Sequence, residues 1–275
     1  MNEYTKESTK QARLKAVAAC EDRNIDYLNA DLACVQAMAQ AAINVELFTI
    51  PLYMTALYSV QGMHQINSND SKLYKGRQWP GSAASAGTDL NTNEQVFNKV
   101  YSVFIEEMLH LQLASNMASK LGITPVFTSS ALQNANYGWK CYAPGGTTIP
   151  HVLNFNDWKK DSTPDLNGLT VELRAMNKEQ VNLFLAIEET QENAEENLNN
   201  PTIEIPGYGT RPTYFEQAPF NWFTASMSES NLPLFGSIGH MYLCYWSYLE
   251  IKYNDGTTLL ERLTSVQRDQ FNNTA

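Results

Sequence analysis

The sequence predicts an all-α protein built as a four-helix bundle, with long loops between the helices and short flanking helices. Four stretches repeat apolar residues at the three- and four-residue spacing of a helix buried on one face. Between these stretches the signals for β-hairpins are almost absent. The bundle helices are expected at about 31–60, 93–121, 177–198 and 231–253.

Local residues set the expected limits of these helices. Asp31 is a plausible N-cap of the first helix, and Pro51 should kink it because proline lacks a backbone donor. Gly122 should end the second helix, with Pro125 following it. Asn177 is a candidate N-cap for the third.

The remaining chain is assigned to connections and short helices around one domain, which we expect to span 1–275 because no internal repeat divides it. Connections of this length are usually functional or contain short structure of their own. The expected long loops are 61–92, 123–176 and 199–229, and the expected short helices are 8–23 and 258–270.

Composition narrows the class of protein. With 43% apolar and 17% charged residues the chain can bury a core, and its formal net charge of -10 disfavours nucleic acid and anionic membranes as partners. No apolar run approaches the ~20 residues of a membrane span. The four cysteines form no CxxC pair, so neither a disulfide framework nor a zinc ribbon is indicated. These features predict a cytoplasmic protein.

Charged side chains on apolar helix faces are the most informative residues. Glu107 and His110 lie three positions apart and therefore on the same side of the second helix, within a stripe of apolar residues. Burying a carboxylate and an imidazole there costs free energy unless something compensates. A metal ion is such a compensator, and this pair of donors suits Fe²⁺, Mn²⁺ or Zn²⁺.

The other three predicted helices also carry a titratable residue on an apolar face. Glu46 and Glu188 each lie within an apolar stripe, and His240 lies on an apolar face of the fourth helix. The alternative is that the acids lie on exposed helix surfaces and that the histidines are core residues whose ring nitrogens have hydrogen-bond partners. The other acids near Glu188 are expected on solvated faces, with Glu192 the main candidate for an exception because it stands one turn beyond.

The order of these residues along the chain resembles the first half of a known metal-binding pattern. In ferritin-like carboxylate bundles, two helices each supply a Glu and the other two each supply a Glu-x-x-His motif, which together hold two metals. Glu107 and His110 form such a motif, whereas Glu188 is followed three residues later by Gln191. The metal is therefore expected to be iron, with one or two ions, and manganese is an alternative.

Longer stretches resemble a specific family, the ferritin-like domain of the imine-dimer synthases of bisindole biosynthesis (the violacein and rebeccamycin type). The most specific are ELFTIPLYMTALYS at 46–59 and IEEMLHLQLASN at 105–116. LTVELR at 169–174, LFLAIEET at 183–190 and GSIGHMY at 236–242 are looser matches. The resemblance covers roughly residues 30–250.

The resemblance implies an all-α bundle with a carboxylate-rich metal site. By position it assigns the catalytic metal site to Glu46, Glu107, His110 and Glu188. At position 240 the family often has an acid, whereas this chain has His240. His240 is expected as the fifth metal ligand. With an imidazole there and three carboxylates, we expect either a single tightly held metal, or two metals with the second weak or completed by water, hydroxide or substrate.

Two function classes follow from these residues. The leading hypothesis is a non-haem iron oxidoreductase that uses O₂ on a small organic substrate, with an amino-acid-derived compound as one option. The alternative is a non-catalytic metal-binding or interaction protein with a vestigial site. Iron storage is weaker, because the long loops would obstruct packing into a cage. Assembly into a homo-oligomer is left open.

Overall fold

The computed structural model describes residues 20–60, 89–162 and 165–264. The predicted helix 8–23 lies largely outside these residues, and its described part, 20–23, forms a turn and a bridge to Tyr253. Of the predicted helix 258–270, the described part is helical from 259 to 264.

Five α-helices are the main elements of the described residues, in place of the four predicted bundle helices. They are α1 (Leu28–Tyr58), α2 (Thr92–Lys120), α3 (Lys178–Ile187), α4 (Gln191–Asn197) and α5 (Ile238–Leu249). One hydrophobic core contains buried residues from all five helices.

Two small antiparallel hairpins lie in the connections that the sequence assigned to loops. Strands β1 (Gln133–Asn134) and β2 (Gly138–Trp139) form the first, and β3 (Thr202–Ile205) and β4 (Gly209–Pro212) form the second. The expectation of an all-α, four-helix bundle is therefore corrected to a mostly helical fold with small sheets. The strands are too short to give a period-two pattern.

Helix α1 is the central element of the fold. It is 31 residues long, is buried along most of its length and contains Pro51. By length and mean hydropathy (1.3), the stretch Ile25–Tyr58 is able to cross a membrane, but 78% of its most apolar window is buried inside this structure. Its apolar composition is accounted for by burial in the protein core.

The expected N-cap role of Asp31 is wrong, because α1 begins at Leu28 and the Tyr27 side chain makes no capping bond. Asp31 is buried, and its carboxylate accepts two hydrogen bonds from Arg23 at 2.6 and 2.7 Å. Tyr253 donates a third at 3.1 Å. This ion pair joins the first turn of α1 to segments from both ends of the described chain.

Gly122 ends α2 as predicted, and a capping box that was not predicted begins it. Asn91 and Glu94 form a reciprocal capping box at its start. At its end Gly122 has φ +78°, and the N–H groups of Gly122 and Ile123 donate to the carbonyls of Ser119 and Ala118. This is a Schellman motif, which requires a left-handed residue at the position of Gly122.

The predicted third helix, 177–198, is interrupted. Asn177 caps α3 as expected, but α3 ends at Ile187 with Glu188 as its C-cap, and Thr190 caps the new helix α4. The Thr190 side chain accepts a hydrogen bond from the backbone N–H of Asn193, and such a cap favours a new helix start over continuation. The fourth predicted helix is also shorter, since α5 begins only after its N-cap Ser237.

A buried polar network connects α1 to the loop after α2. The amide of Gln40 bonds both the N–H and the C=O of Val126, which fixes which way the amide faces. Gln40 then donates to Asn44, and the Asn44 amide donates to Ser129 and lies 2.8 Å from Nε2 of His151. Burial lowers the pKa of His151 to about 4, so its ring is neutral and can accept at Nε2.

The contact between Gly236 and Phe215 yields a stability prediction. A Cβ at Gly236 would overlap the Phe215 ring, whereas a Cβ at Gly239 has Ser237 Oγ nearest, at 3.7 Å. Gly236→Ala should destabilise the protein by about 1–3 kcal/mol because the ring must move. Gly239→Ala is the matched control within α5 and should be neutral or stabilising by up to ~1 kcal/mol. Denaturant unfolding measures both, and equal effects would contradict the prediction.

Candidate metal centre

One face of α1 supplies the first side chains of the site. Glu46, Thr49 and Tyr53 lie at positions i, i+3 and i+7, so they share a side of the helix. All three are buried, and Glu46 is only 4% exposed. A carboxylate at this depth requires partners from other elements.

Helix α2 supplies those partners through its Glu-x-x-His motif. Glu107 is 3% exposed, whereas the side chain of His110 is 47% exposed and stands at the open side of the cluster. His110 Nδ1 lies 3.6 Å from Glu46 Oε2 and 3.7 Å from Glu107 Oε1. The two buried carboxylates thus each turn one oxygen toward the same ring nitrogen.

Hydroxyl groups occupy the other oxygen of each buried carboxylate. Tyr242, from α5, donates to Glu46 Oε1 at 2.6 Å. Thr49 Oγ1 lies 2.6 Å from Glu107 Oε2 and 2.8 Å from the backbone carbonyl of Glu46. These contacts orient both carboxylates and leave one oxygen of each available to a ligand.

Glu188 joins the site from the end of α3. The side chain of Tyr53 donates to its Oε1 at 3.2 Å, and the Tyr53 ring packs on Phe184 with ring centroids 4.3 Å apart. Glu188 is exposed and lines the same cavity as Glu46, Glu107 and His110. It therefore lies at the mouth of the site, while the other two carboxylates lie at its base.

The cavity between these helices has a volume of about 300 Å³, at the small end of the range for ligand sites. Apolar residues from α2 and α5 complete its walls. The lining residues are Glu46, Glu107, His110, Leu113, Ala114, Met117, Glu188, Ile238 and Tyr242.

The protein environment disfavours ionisation of the two buried carboxyl groups. Burial, opposed by the Thr49 contact and aided by the carboxylates of Glu46 and Glu188, raises the pKa of Glu107 to about 8. Burial also raises the pKa of Glu46, although the Tyr242 hydrogen bond and His110 oppose the shift. Without a cation, Glu107 is therefore mainly protonated at neutral pH.

The position of Thr49 agrees with a protonated Glu107. A hydroxyl has a single hydrogen, yet Thr49 Oγ1 lies at hydrogen-bonding distance from two acceptors. If Glu107 carries a proton, it donates to Thr49, and Thr49 donates to the Glu46 carbonyl. Both contacts are then satisfied, which an ionised Glu107 does not allow.

His240 does not lie with the carboxylates, which corrects the expectation for this residue. Its ring lies 5.3 and 5.7 Å from the rings of Phe215 and Phe235, and its Nε2 is 3.6 Å from Cys244 Sγ. Burial lowers its pKa to about 4, as expected for a neutral core histidine. Residue 240 is rotated by about 200° from Ile238, which faces the cavity together with Tyr242.

Glu192, the other candidate ligand, is not among the residues that line the cavity. The break at Glu188–Thr190 places Glu192 in the first turn of a separate helix, α4, where it is exposed. The sequence placed Glu192 close to Glu188 because it predicted one continuous helix, and that helix is interrupted between the two residues.

The donor set fits a metal ion. Glu46, Glu107 and His110 offer one ligand atom each within 4.8 Å of one another, and they form a group that can hold a metal. No lysine or arginine is among the described residues that line the cavity, so no side chain there neutralises the carboxylates. A bound cation would supply this missing charge and allow Glu107 to ionise.

The match to a family model identifies the class of protein. The ferritin-like family model matches residues 39–243, which is well over half of the chain. This protein therefore belongs to the ferritin-like family. No curated protein and no solved structure matches the chain. The specific resemblance to imine-dimer synthases thus has no support beyond the shared ferritin-like domain.

Sequence reasoning missed Thr49 and Tyr242, whose hydroxyl groups contact the two buried carboxyl groups. Thr49 had a detectable signal, because it is a polar residue one turn from Glu46 in the same apolar stripe. Tyr242 had none, since tyrosines are common in helical cores and this one acts across the bundle. Tyr53 was not among the predicted ligands, and it contacts Glu188 rather than completing the ligand group.

The raised pKa of Glu107 predicts that Glu107→Gln stabilises the metal-free protein. Between pH 4.5 and 8 the unfolded wild type has an ionised Glu107, whereas the folded state keeps it protonated, so wild-type stability falls as pH rises. Glutamine removes this cost, by about 2–3 kcal/mol at pH 7, and its amide can still donate to Thr49.

Denaturant unfolding with a chelator present, at pH 4 and pH 7.5, measures this effect. The gain should be large at pH 7.5 and vanish at pH 4, where Glu107 is protonated in both states. Glu106→Gln is the matched control, because Glu106 is exposed, and it should change stability by less than about 0.5 kcal/mol at either pH. A destabilised Glu107→Gln at pH 7.5 would show that the carboxyl group is ionised in the folded protein.

Proposed function

We propose that this protein is a non-haem iron oxidoreductase that uses O₂ to oxidise a small organic substrate. Its support is the convergence of Glu46, Glu107 and His110 on one point at the base of a cavity, within a ferritin-like domain. Glu188 is the fourth residue of the proposed site. Bound iron, or manganese in its place, would supply one-electron chemistry and react with O₂.

The chain's own residues have distinct roles in this proposal. Glu46 and Glu107 supply buried carboxylate oxygens, which Tyr242 and Thr49 hold in orientation. His110 supplies a neutral nitrogen donor at the open side. The ligand set is thus mixed oxygen and nitrogen, which suits iron and manganese better than it suits a thiolate-preferring metal.

Glu188 is placed to exchange protons with the substrate. It is exposed at the cavity mouth, and Tyr53 holds one of its carboxylate oxygens. Its other oxygen is able to accept a proton from a group bound in the cavity and pass it to solvent. The apolar walls limit the amount of water at the base of the site.

The alternative function is a metal-binding protein without catalysis. The observation that favours it is the small ligand group, because among the described residues only one histidine belongs to it. Metal analysis alone does not distinguish the two proposals, because both include a bound metal ion. Measurement of O₂ consumption after anaerobic loading with Fe(II) separates them, since a vestigial site consumes no O₂ beyond the rate of free Fe(II).

His110→Ala tests the assignment of the site. Removing the only nitrogen donor of the group should weaken Fe(II) and Mn(II) binding by about 10–100-fold or more, which titration calorimetry measures. Glu106→Ala is the control on the same helix, because residue 106 is exposed and rotated by about 100° from Glu107. Wild-type affinity in His110→Ala would show that the histidine is not a ligand.

The hydroxyl contacts predict one metal ion per chain. A carboxylate that bridges two metals uses both of its oxygens, but Tyr242 and Thr49 occupy one oxygen of each buried carboxylate. Three carboxylates more than balance the charge of one divalent ion and fall short of balancing two. Metal analysis after dialysis should therefore give close to one equivalent, and two equivalents of equal affinity would contradict this prediction.

A further inference from the structure

The walls above the proposed metal ligands are apolar. Leu113 and Met117 continue along α2 from His110, one and two turns further, and α5 contributes Ile238. Leu113 is 56% exposed, so it lies where the cavity meets solvent. An exposed leucine beside a cavity offers apolar surface to a bound molecule.

Helix α3 adds apolar surface next to Glu188. Val181, Leu185 and Glu188 are spaced i, i+4 and i+7, so they share one side of the helix. Val181 is 42% exposed and Leu185 is 60% exposed. The carboxylate at the cavity mouth thus lies beside apolar side chains that are accessible from solvent.

The charges in the cavity limit what these walls can hold. Three carboxylates line it, and no lysine or arginine among the described residues does so. With one divalent ion bound, the site keeps one net negative charge. A substrate carboxylate would raise this to two negative charges in a mainly apolar cavity, with no lysine or arginine among the described lining residues to balance it.

From these observations we infer that the cavity binds a neutral or cationic, largely apolar organic molecule that lacks a free carboxylate. This inference rests on the proposed metal-dependent function and names its substrate class. A volume of about 300 Å³ is equivalent to roughly ten water molecules and suits a single-ring compound with a short side chain. An amine or alcohol of this kind fits, and the corresponding acid does not.

Three probes of similar size and different charge test this inference: 2-phenylethanol, 2-phenylethylamine and 3-phenylpropionate. The protein is loaded with Mn(II), whose unpaired electrons accelerate the relaxation of nearby ligand protons in NMR. The alcohol and the amine should show saturable relaxation enhancement, and the acid should bind at least tenfold more weakly. Equal or tighter binding of the acid overturns the inference.

A pair of matched variants locates the binding surface. Leu113→Asn should weaken binding of the alcohol by about five- to tenfold, because it replaces part of the apolar wall. Leu109→Asn, one turn earlier on α2, is the control, since Leu109 is 50% exposed but does not line the cavity. Equal effects of the two variants would contradict binding at this wall.

The outcomes separate this inference from the proposed function. If Mn(II) binds and His110→Ala removes it, but no probe is bound or the acid is preferred, the substrate class is wrong and the metal centre stands. If neither Mn(II) nor Fe(II) binds, the proposed function fails and the inference that rests on it fails as well.

Discussion

The fold depends on satisfying the polar side chains of α1, a helix that is buried along most of its length. Asp31, Asn44 and Glu46 are all buried, and each unpaired polar group at such depth would cost several kcal/mol. Their partners come from outside the helix, and all but Arg23 are far away in the chain: Arg23 and Tyr253 for Asp31, His151 and Ser129 for Asn44, and Tyr242 for Glu46. The other elements are therefore held in position around α1 by directional bonds as well as by apolar contact.

The two polar regions of α1 differ in how far the protein itself supplies partners for their buried polar groups. On one side, the Val126 peptide orients Gln40, Gln40 orients Asn44, and Asn44 contacts Nε2 of a neutral histidine ring, so the amides are paired within the protein. On the other side, the buried acids keep raised pKa values, and no lysine or arginine is among the described residues that line their cavity. The first arrangement is that of a structural network, and the second is that of a binding site.

Sequence reasoning located the base of the site because buried acids interrupt long apolar stripes. Glu46, Glu107 and His110 belong to the two longest helices, where the helical spacing of apolar residues persists over many turns. It misplaced His240 because α5 buries one side in the core and turns another, with Ile238 and Tyr242, to the cavity, and an apolar neighbourhood does not reveal which of the two a residue faces. It also missed the helix break after Ile187, since the cap formed by Thr190 has no effect on apolar spacing.

Pro51 and Thr49 both alter the backbone hydrogen bonding of one short part of α1. Proline cannot donate to the carbonyl of Leu47, so the backbone ladder of the helix already lacks one bond beside the ligand positions. When a cation displaces the proton of Glu107, the single hydrogen of Thr49 is drawn to that carboxylate and leaves the Glu46 carbonyl. The Glu46 carbonyl then keeps only the ordinary helical donor, the N–H of Ile50, while the neighbouring Leu47 carbonyl has no helical donor. The hydrogen bonding of α1 beside Glu46 therefore depends on the protonation of Glu107, at a point where the backbone ladder of the helix is already interrupted.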